Sequence, residues 1–339
     1  MSDSLGATPR VVVSRRIFPE LVEALAGRYR VIDNQPDLTW SEADLAKHLA
    51  DADAALITGG DRIDAALLAA CPRLKVVSNI AVGYNNIDVA ACTAAGVAAT
   101  NTPDVLNEAT ADHAWALLLA AARRVTEAEQ YLRAGRWTRW EFELLMGADL
   151  HGSTLGIIGM GRIGRAIARR ARGFSMRVLY HNRTRLPTDQ EEGAEWAERD
   201  TLLREVDHLV LVVSYSPATH HLIGAAELAL MKRSAVLVNI ARGGVVDDAA
   251  LIDALRSGRL AAAGLDVFED EPRLNPGFLS LTNVALTPHI ASSTRATRSA
   301  MARLAIANLD AVLGGRRPAA LLNPQVWDTD ARAARLALR

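Results

Sequence analysis

The chain has 339 residues, of which 50% are hydrophobic and 23% charged, a composition typical of a folded protein and not of a disordered one. Its length exceeds what one compact core usually reaches, so we expect about two domains. Lysine and arginine number 38 against 39 aspartates and glutamates, and the net charge of −1 argues against a dedicated nucleic-acid-binding protein.

The sequence gives no sign of export or membrane insertion. Residues 1–10 lack the basic stretch followed by an apolar run that marks a secretory signal, and no window approaches the ~20 apolar residues of a membrane helix. The two cysteines, Cys71 and Cys92, are too few for a disulfide framework and fit a reducing compartment. We therefore predict a soluble, cytoplasmic protein.

Short β-branched runs alternate with alanine-rich helical patterns through the first hundred or so residues. This alternation predicts a doubly wound parallel sheet, because each helix returns the chain to the edge where the next strand begins. The predicted strands are Arg10 to Ser14, Arg30 to Asp33, Ala54 to Thr58, Lys75 to Ser78 and Val97 to Ala99. Together they define a first α/β domain.

A second strand and helix series follows a long helical pattern, which runs from Asn107 to about Ala134 and precedes a Gly/Trp-rich segment, Gly135 to Gly152. The strands of this series are continuous apolar runs, as expected where both faces are covered. They are Thr154 to Gly159, Arg177 to Tyr180, Leu209 to Val213, Ala235 to Asn239 and Ala261 to Leu265. A helix is predicted from Thr294 to Leu313, and the polar end, Asp328 to Arg339, is expected to be frayed.

The pattern GxGxxG directly follows the first strand of the second series and precedes a predicted helix. Gly159 allows the tight turn, Gly161 lets the backbone approach a pyrophosphate, and Gly164 lets helix and strand pack closely. In this context the loop predicts dinucleotide binding at a helix N-terminus, with Arg162 and Ile163 among the contacts.

The position expected to bind the adenosine ribose carries Asn182, followed by Arg183, Thr184 and Arg185. A carboxylate there would repel a 2′-phosphate, whereas a neutral amide beside guanidinium groups would attract one. We therefore predict NADP(H) as the preferred cofactor, with NAD(H) possible, and Asn182, Arg183 and Thr184 as its contacts. The alternative is that both arginines are solvated loop residues.

Polar side chains follow several predicted strands of the second domain, namely Arg242, Asp266, Glu271 and His289. Because the carboxyl ends of parallel strands border one crevice, these residues can converge on a nicotinamide. A cation, a carboxylate and an imidazole are a sufficient set for reducing a 2-oxo acid, although each residue alone could be structural.

The sequence resembles the D-isomer-specific 2-hydroxyacid dehydrogenase family, within it the glyoxylate/hydroxypyruvate reductase and 2-ketogluconate reductase branch. The segments that carry the resemblance are Ala81 to Asp88, Ala109 to Ala114, the glycine loop, Val238 to Gly244, Gly264 to Pro272 and Thr287 to Ser293. It implies an α/β fold of two doubly wound parallel-sheet domains. By the same resemblance, an NAD(P)-binding Rossmann domain, 105–291, would be inserted into a flavodoxin-like substrate-binding domain, 1–104 and 292–339.

The same resemblance assigns a catalytic trio. His289 would protonate the carbonyl oxygen as hydride arrives, a role that suits imidazole near neutral pH. Glu271 would orient the ring and favour its protonated form, and Arg242 would hold the substrate carboxylate. The adjacent Glu269 and Asp270 are expected to be solvated.

Further contacts are implied in the same way. The main-chain amides of Val82 and Gly83 would grip the substrate carboxylate, and Asp266 would hold the nicotinamide carboxamide. Trp140 would reach the substrate pocket of a second subunit in a homodimer, although Trp137 and Trp140 could equally pack within one chain. The remaining predicted cofactor contacts are Thr110, Ser214, Pro217, Thr219, Ala241 and Ser292.

The favoured function is NADPH-linked reduction of small 2-oxo acids, glyoxylate and hydroxypyruvate, to D-2-hydroxy acids. Two alternatives stay open: an NADH-linked enzyme for a bulkier 2-oxo acid, and a nucleotide-sensing interaction protein similar to the corepressor relatives of the family. We predict no metal, because no histidine pair has a zinc-ligand spacing with a third partner. Nucleic-acid and membrane partners are not expected.

Overall fold

The structure of the protein is a computed structural model, and it describes residues 8–337. The chain divides into two compact units, one formed by the residues up to Leu106 and those from Thr294 onward, the other by Asn107–Ser293. Within residues 8–337, no helix is both long enough and apolar enough to cross a membrane. The predicted division of labour between a substrate-binding and a cofactor-binding domain stays a prediction.

The first unit contains a five-stranded parallel sheet in the order β2-β1-β3-β4-β5, which is the flavodoxin-like order. Its strands are β1 (Arg10–Val13), β2 (Arg30–Asp33), β3 (Ala54–Ile57), β4 (Val76–Asn79) and β5 (Ala98–Thr100). Its helices are α1 (Pro19–Ala26), α2 (Glu42–Leu49), α3 (Ala65–Ala70), α4 (Val89–Ala94), α11 (Arg295–Leu313) and α12 (Asp330–Ala337). The helices α5 to α10 belong to the second unit.

The second unit contains a seven-stranded parallel sheet in the order β12-β11-β10-β9-β6-β7-β8. Its strands are β6 (Thr154–Ile158), β7 (Arg177–His181), β8 (Glu195–Trp196), β9 (His208–Leu211), β10 (Val236–Asn239), β11 (Ala262–Leu265) and β12 (Val284–Leu286). Its helices are α5 (Asn107–Ala122), α6 (Val125–Arg133), α7 (Arg162–Ala171), α8 (Arg199–Glu205), α9 (Ala225–Leu230) and α10 (Asp248–Arg256). The order of successive strands reverses between β6 and β9, which pair in parallel, and this is the switch point where such sheets bind ligands. The predicted fold class is confirmed.

The core of the second unit forms because α5 is apolar on most of its surface and packs against β10, β11 and α7. Trp115 of α5 stacks on Phe174 with ring centroids 4.6 Å apart, and its indole N–H donates to the carbonyl of Ile167 at 3.2 Å. Gly264 allows the close approach of α5, since a Cβ there would lie 3.0 Å from Leu117. The ends of β10 and β11 are thereby fixed from one side.

The single long helix predicted over Asn107 to Ala134 is wrong in one respect, because it is broken after α5. Arg124 adopts a left-handed backbone (φ +52°), and its guanidinium pairs with Glu127 at 2.8 and 3.0 Å. The carbonyl of Ala122 accepts a hydrogen bond from Ala148 at 2.8 Å, so the returning loop takes the place of the next helical turn. Hydrophobic patterning contains no signal for such a tertiary stop.

The predicted frayed end, 328–339, is also wrong over the residues that the structure describes, because residues 330–337 form α12. Residues 338 and 339 lie outside the described range. Arg332 is buried with its guanidinium over the ring of Trp327, 4.0 Å from the centroid. Arg335 donates to the carbonyls of Leu68, Cys71 and Leu74 at 2.7 to 3.3 Å, which caps the end of α3. The sequence prediction also missed β8 and β12, which have two and three residues.

We expect Gly96→Ala to loosen α12. Gly96 has a left-handed backbone (φ +70°), and a Cβ there would lie 2.5 Å from the main chain of Ala331. Backbone strain and overpacking together should lower the free energy of unfolding by about 3 kcal/mol, measured by chemical denaturation. The matched control is Gly135→Ala, which has a similar φ of +66° but no atom within 4 Å, and it should cost only about 1 kcal/mol. Equal losses in both variants would contradict the docking of α12.

Candidate active site

The three glycines of the loop after β6 do different physical work. A Cβ on Gly159 (φ +104°) would lie 2.7 Å from the main chain of Val212, and one on Gly164 would lie 2.3 Å from the carbonyl oxygen of Gly159. Nothing lies within 4 Å of a Cβ on Gly161, which is the N-cap of α7. The open space at a helix N-terminus, where amide N–H groups have no helical partner, fits a pyrophosphate. Arg162 and Ile163 begin that helix.

Asn182, at the end of β7, is tied to the glycine loop. Its Oδ1 accepts the N–H of Met160 at 2.7 Å, so its side-chain NH₂ group is the part left to face a ligand. Arg183 and Thr184 are exposed, and Arg183 makes no hydrogen bond or ion pair to any residue in the described range.

Arg185, in contrast, forms an ion pair with Glu191. Its Nε donates to Glu191 at 2.8 Å, and the hydroxyl of the buried Tyr180 donates to the same carboxylate at 2.8 Å. The hydrogen bonds from Arg185 and Tyr180 lower the pKa of Glu191. Of the two arginines predicted near the ribose, Arg183 is therefore the one that the structure leaves available.

The loop after β9 carries three predicted cofactor contacts and is held by one of them. The hydroxyl of Thr219 donates to the carbonyl of Ser214 at 2.9 Å and accepts the N–H of Ser216 at 2.8 Å. Pro217 lies exposed at the tip of this turn. The Thr219 side chain shapes the loop, and a direct contact from it to a cofactor stays a prediction.

Arg242 follows β10, where Asn239 donates to its carbonyl oxygen at 3.0 Å and the buried Ala241 precedes it. The guanidinium is half-buried and donates to the carbonyl of Ala241 at 2.7 Å. Burial lowers the pKa of Arg242, and the negative charge of Glu271 opposes that shift. The cation and the carboxylate are therefore electrostatic neighbours.

His289 and Glu271 form a direct pair. Nδ1 of His289 lies 2.7 Å from Oε2 of Glu271, and the other carboxylate oxygen accepts the N–H of Phe268 at 2.9 Å. Because an ionised carboxylate only accepts, Nδ1 carries the proton and Nε2 is left for chemistry. Both side chains are partly exposed. Exposure of the His289 ring is needed if its Nε2 is to reach a substrate.

Asp266 holds the segment that carries His289. Its side chain is buried, and its carboxylate oxygens accept the N–H groups of Ile290 and Ala291 at 2.8 Å each. Its own carbonyl accepts the N–H of His289 at 2.9 Å. His289 has a left-handed backbone (φ +53°), which is costly for a residue with a Cβ. Asp266 thus fixes the chain at and beyond this strained residue, while its predicted contact with a cofactor stays a prediction.

Two residues that the sequence prediction missed complete this arrangement. The hydroxyl of Thr287 donates to Asp266 at 2.6 Å, and Nε2 of His113 lies 3.0 Å from that hydroxyl and 3.3 Å from the carboxylate. Burial alone would raise the pKa of Asp266, but hydrogen bonds from His113, Thr287 and the two amides lower it. One sequence signal could have indicated His113: it lies one helical turn after the buried Thr110, so both residues lie on the same face of α5.

Glu269 and Asp270 are exposed, as expected, and Glu269 also pairs with Nε2 of His221. The pair forms because the loop after β9 runs beside the segment of Arg242: the N–H of His221 donates to the carbonyl of Gly244 at 2.7 Å. No group of three or more histidine, cysteine, aspartate or glutamate side chains in residues 8–337 could hold a metal ion.

The other predicted site residues lie elsewhere in their units. Ser292 is half-buried in the segment after His289. Val82 and Gly83 belong to the first unit, in the loop after β4. Trp140 is 75% exposed, and its ring lies edge-on to Phe142 with the centroids 6.2 Å apart. Its contact with a second subunit stays a prediction.

A buried carboxyl lies below the segment of Glu271. Asp248, at the start of α10, is 4% exposed and accepts the N–H of Glu269 at 3.4 Å. Burial raises the pKa of Asp248 to about 6, and the charges of Glu269, Asp247 and Asp270 add to the shift, while the hydrogen bond opposes it.

The chain is similar in sequence to known proteins. Residues 115–291 match the family model described as D-isomer specific 2-hydroxyacid dehydrogenase, NAD binding domain. The chain is 48% identical over 323 residues to a glyoxylate reductase from Thermococcus onnurineus, covering 94% of this chain and 97% of the relative.

Two solved structures are similar over almost the whole chain. One is a glyoxylate reductase from Paecilomyes thermophila, with a TM-score of 0.85 and 35% identity, covering 94% of this chain and 100% of that one. The other is an NADPH-dependent glyoxylate/hydroxypyruvate reductase from Sinorhizobium meliloti in complex with NADP and malonate, with a TM-score of 0.85 and 36% identity, covering 94% and 98%.

We expect Asp248→Asn to stabilise the protein at high pH only. The pKa of Asp248 is about 6 when folded against a usual 3.8, so this carboxyl costs nothing below about pH 4, destabilises progressively as the pH rises from about 4 to about 6, and costs a constant amount above that. The variant should gain about 1 to 3 kcal/mol of unfolding free energy at pH 8 and nothing at pH 4, by urea denaturation. Asp253→Asn, on the exposed face of the same helix, should change neither value. A gain that did not depend on pH would contradict the raised pKa.

Proposed function

Since the chain belongs to the D-isomer specific 2-hydroxyacid dehydrogenase family, as its motifs predicted, we propose that it reduces glyoxylate and hydroxypyruvate to D-2-hydroxy acids with a preference for NADPH. Family membership makes it an NAD(P)-dependent oxidoreductase, and its relatives support reduction of a 2-oxo acid. The observation that carries the proposal is the pair of His289 and Glu271, in which Nε2 of the ring is left to act.

The proposed reaction needs three actions from this chain. Arg242 binds the carboxylate of the 2-oxo acid and draws electron density toward the carbonyl oxygen. His289 donates the proton on Nε2 to that oxygen, while Glu271 keeps the ring oriented and compensates its positive charge. A bound reduced nicotinamide supplies the hydride that the carbonyl carbon accepts. The product is a 2-hydroxy acid, and the reverse direction returns the proton to Nε2.

The preference for NADPH is supported by charge at the end of β7. No carboxylate stands at position 182 to repel a 2′-phosphate, and Arg183 is exposed and unpaired within the described range. The open space at Gly161 in front of α7 fits the pyrophosphate of either cofactor.

The predicted homodimer is part of the proposal. Helix α6 has no buried residue, and the segment that begins with it exposes six large apolar side chains, more than a solvated surface usually concentrates. They are Val125, Leu132, Trp137, Trp140, Phe142 and Met146. A second copy of the chain would cover them, and Trp140 would contact the substrate of that copy.

We expect His289→Asn to abolish most turnover while leaving cofactor binding intact. Asparagine tolerates a left-handed backbone and can still bond Glu271, so the variant removes the Nε2 proton with little disturbance. The loss in kcat/KM with glyoxylate should be about 10²- to 10⁴-fold. The control is His221→Asn, which removes an imidazole outside the trio and should change kcat/KM far less. An unchanged Kd for NADPH, from titration of tryptophan fluorescence, would show that the fold persists, and turnover within threefold of the parent would exclude His289 as the acid.

We expect Asn182→Asp to lower the ratio of kcat/KM for NADPH to that for NADH by at least about tenfold, because the new charge repels a 2′-phosphate. The Oδ1 that accepts the N–H of Met160 is preserved, so the loop should keep its shape. Arg183→Gln should lower the same ratio, whereas the matched Arg185→Gln should leave it unchanged, since Arg185 is paired with Glu191. A parent enzyme that uses NADH better than NADPH would overturn the cofactor proposal.

A further inference from the structure

Four consecutive carbonyl oxygens in the loop after β4, those of residues 81–84, all accept hydrogen bonds from the protein. The donors are, in chain order of the acceptors, the N–H of Thr102 at 3.0 Å, Nδ2 of Asn101 at 2.8 Å, Nδ2 of Asn79 at 3.0 Å and the N–H of Ile87 at 2.9 Å. Each of these four carbonyls is thereby turned toward its donor in the first unit.

The orientation of these carbonyls dictates the orientation of the amides. In a planar trans peptide, the C=O of one residue and the N–H of the next point in opposite directions. The amides of Val82, Gly83 and Tyr84 must therefore point away from the groups that hold the carbonyls. No residue in the range 8–337 accepts a hydrogen bond from any of these three N–H groups. Successive amides that point the same way form a concave site for an anion.

The two asparagines are placed by the sheet itself. Asn79 is the last residue of β4 and Asn101 directly follows β5, and these strands pair in parallel. Asn79 is fully buried, and its Oδ1 is buried without a partner among the described residues. An unpaired buried oxygen costs about 1 to 3 kcal/mol, so the hydrogen bonds of the NH₂ group must offset that cost. Besides the carbonyl of Gly83, this group reaches Oδ1 of Asn86 at 3.4 Å. The NH₂ group of Asn79, which holds the carbonyl of Gly83, explains why an amide is there.

We propose that Asn101 and Asn79 are positioning residues for the 2-oxo acid: by holding the carbonyls of Val82 and Gly83, they aim the following amides at the substrate carboxylate. This inference rests on the proposed function, because it takes the anion to be the carboxylate of the 2-oxo acid. The two side chains do not touch the substrate. They set its affinity and not the proton transfer, so their loss should appear in KM and not in kcat.

The test is Asn101→Leu, which keeps the side-chain size and removes the donor. We expect KM for glyoxylate to rise by at least about tenfold, with kcat within threefold and KM for NADPH within twofold of the parent. The matched control is Asn34→Leu. Asn34 is also buried and donates to the carbonyls of Ser14 and Leu38 at 2.9 and 2.8 Å, in another part of the same unit. It should lose similar stability and leave KM for glyoxylate unchanged.

The outcomes separate the two proposals. If the parent protein reduces no 2-oxo acid with either cofactor, the proposed function fails and this inference with it. If the parent is active and the two variants Asn101→Leu and Asn34→Leu have the same KM for glyoxylate, only the positioning role is overturned. Should Asn101→Leu not fold, Asn101→Ser replaces it, since serine is too short to reach the carbonyl of Val82, and the same rise in KM is expected. A fall in kcat at constant KM would also contradict the inference.

Discussion

One buried carboxylate holds the part of the second unit that carries His289. Asp266 has lost almost all contact with water, which would be costly for a charge, and it is compensated by hydrogen bonds from the hydroxyl of Thr287 and the amides of Ile290 and Ala291. Those same bonds prevent relaxation of the left-handed backbone at His289. The hydrogen bonds that stabilise the buried charge thus also hold the strained backbone whose side chain pairs with Glu271.

Much of this arrangement could be predicted from the sequence because it is local or repeats with a fixed period. The alternation of strands and helices, the glycine loop and the polar residues at strand ends are all of that kind, and the fold class and family follow from them. The break at Arg124 could not be predicted, because it depends on Ala148 reaching back to the carbonyl of Ala122. The docking of α12 likewise depends on Arg335 finding carbonyls some 260 residues away in sequence.

The candidate site divides in the same way. The trio of Arg242, Glu271 and His289 lies in recognisable motifs, and the structure pairs two of its members directly. What surrounds the trio could not be predicted, because His113 and Glu269 acquire their partners only through contacts between elements distant in sequence. A charge seen in a sequence is also no guide to its availability: Arg183 and Arg185 look equivalent there, and Glu191 makes them different.

The glycines of the loop after β6 meet two different requirements, one from folding and one from ligand binding. Gly159 and Gly164 have no room for a methyl group in the folded chain, so folding alone requires glycine at both positions. Gly161 has open space around it, and only a bound ligand would fill that space. A relative that no longer binds a cofactor could therefore replace Gly161 without loss of stability, while it would still need the other two glycines to fold. A substitution at this one glycine alone would mark a protein that has kept the fold and lost the chemistry.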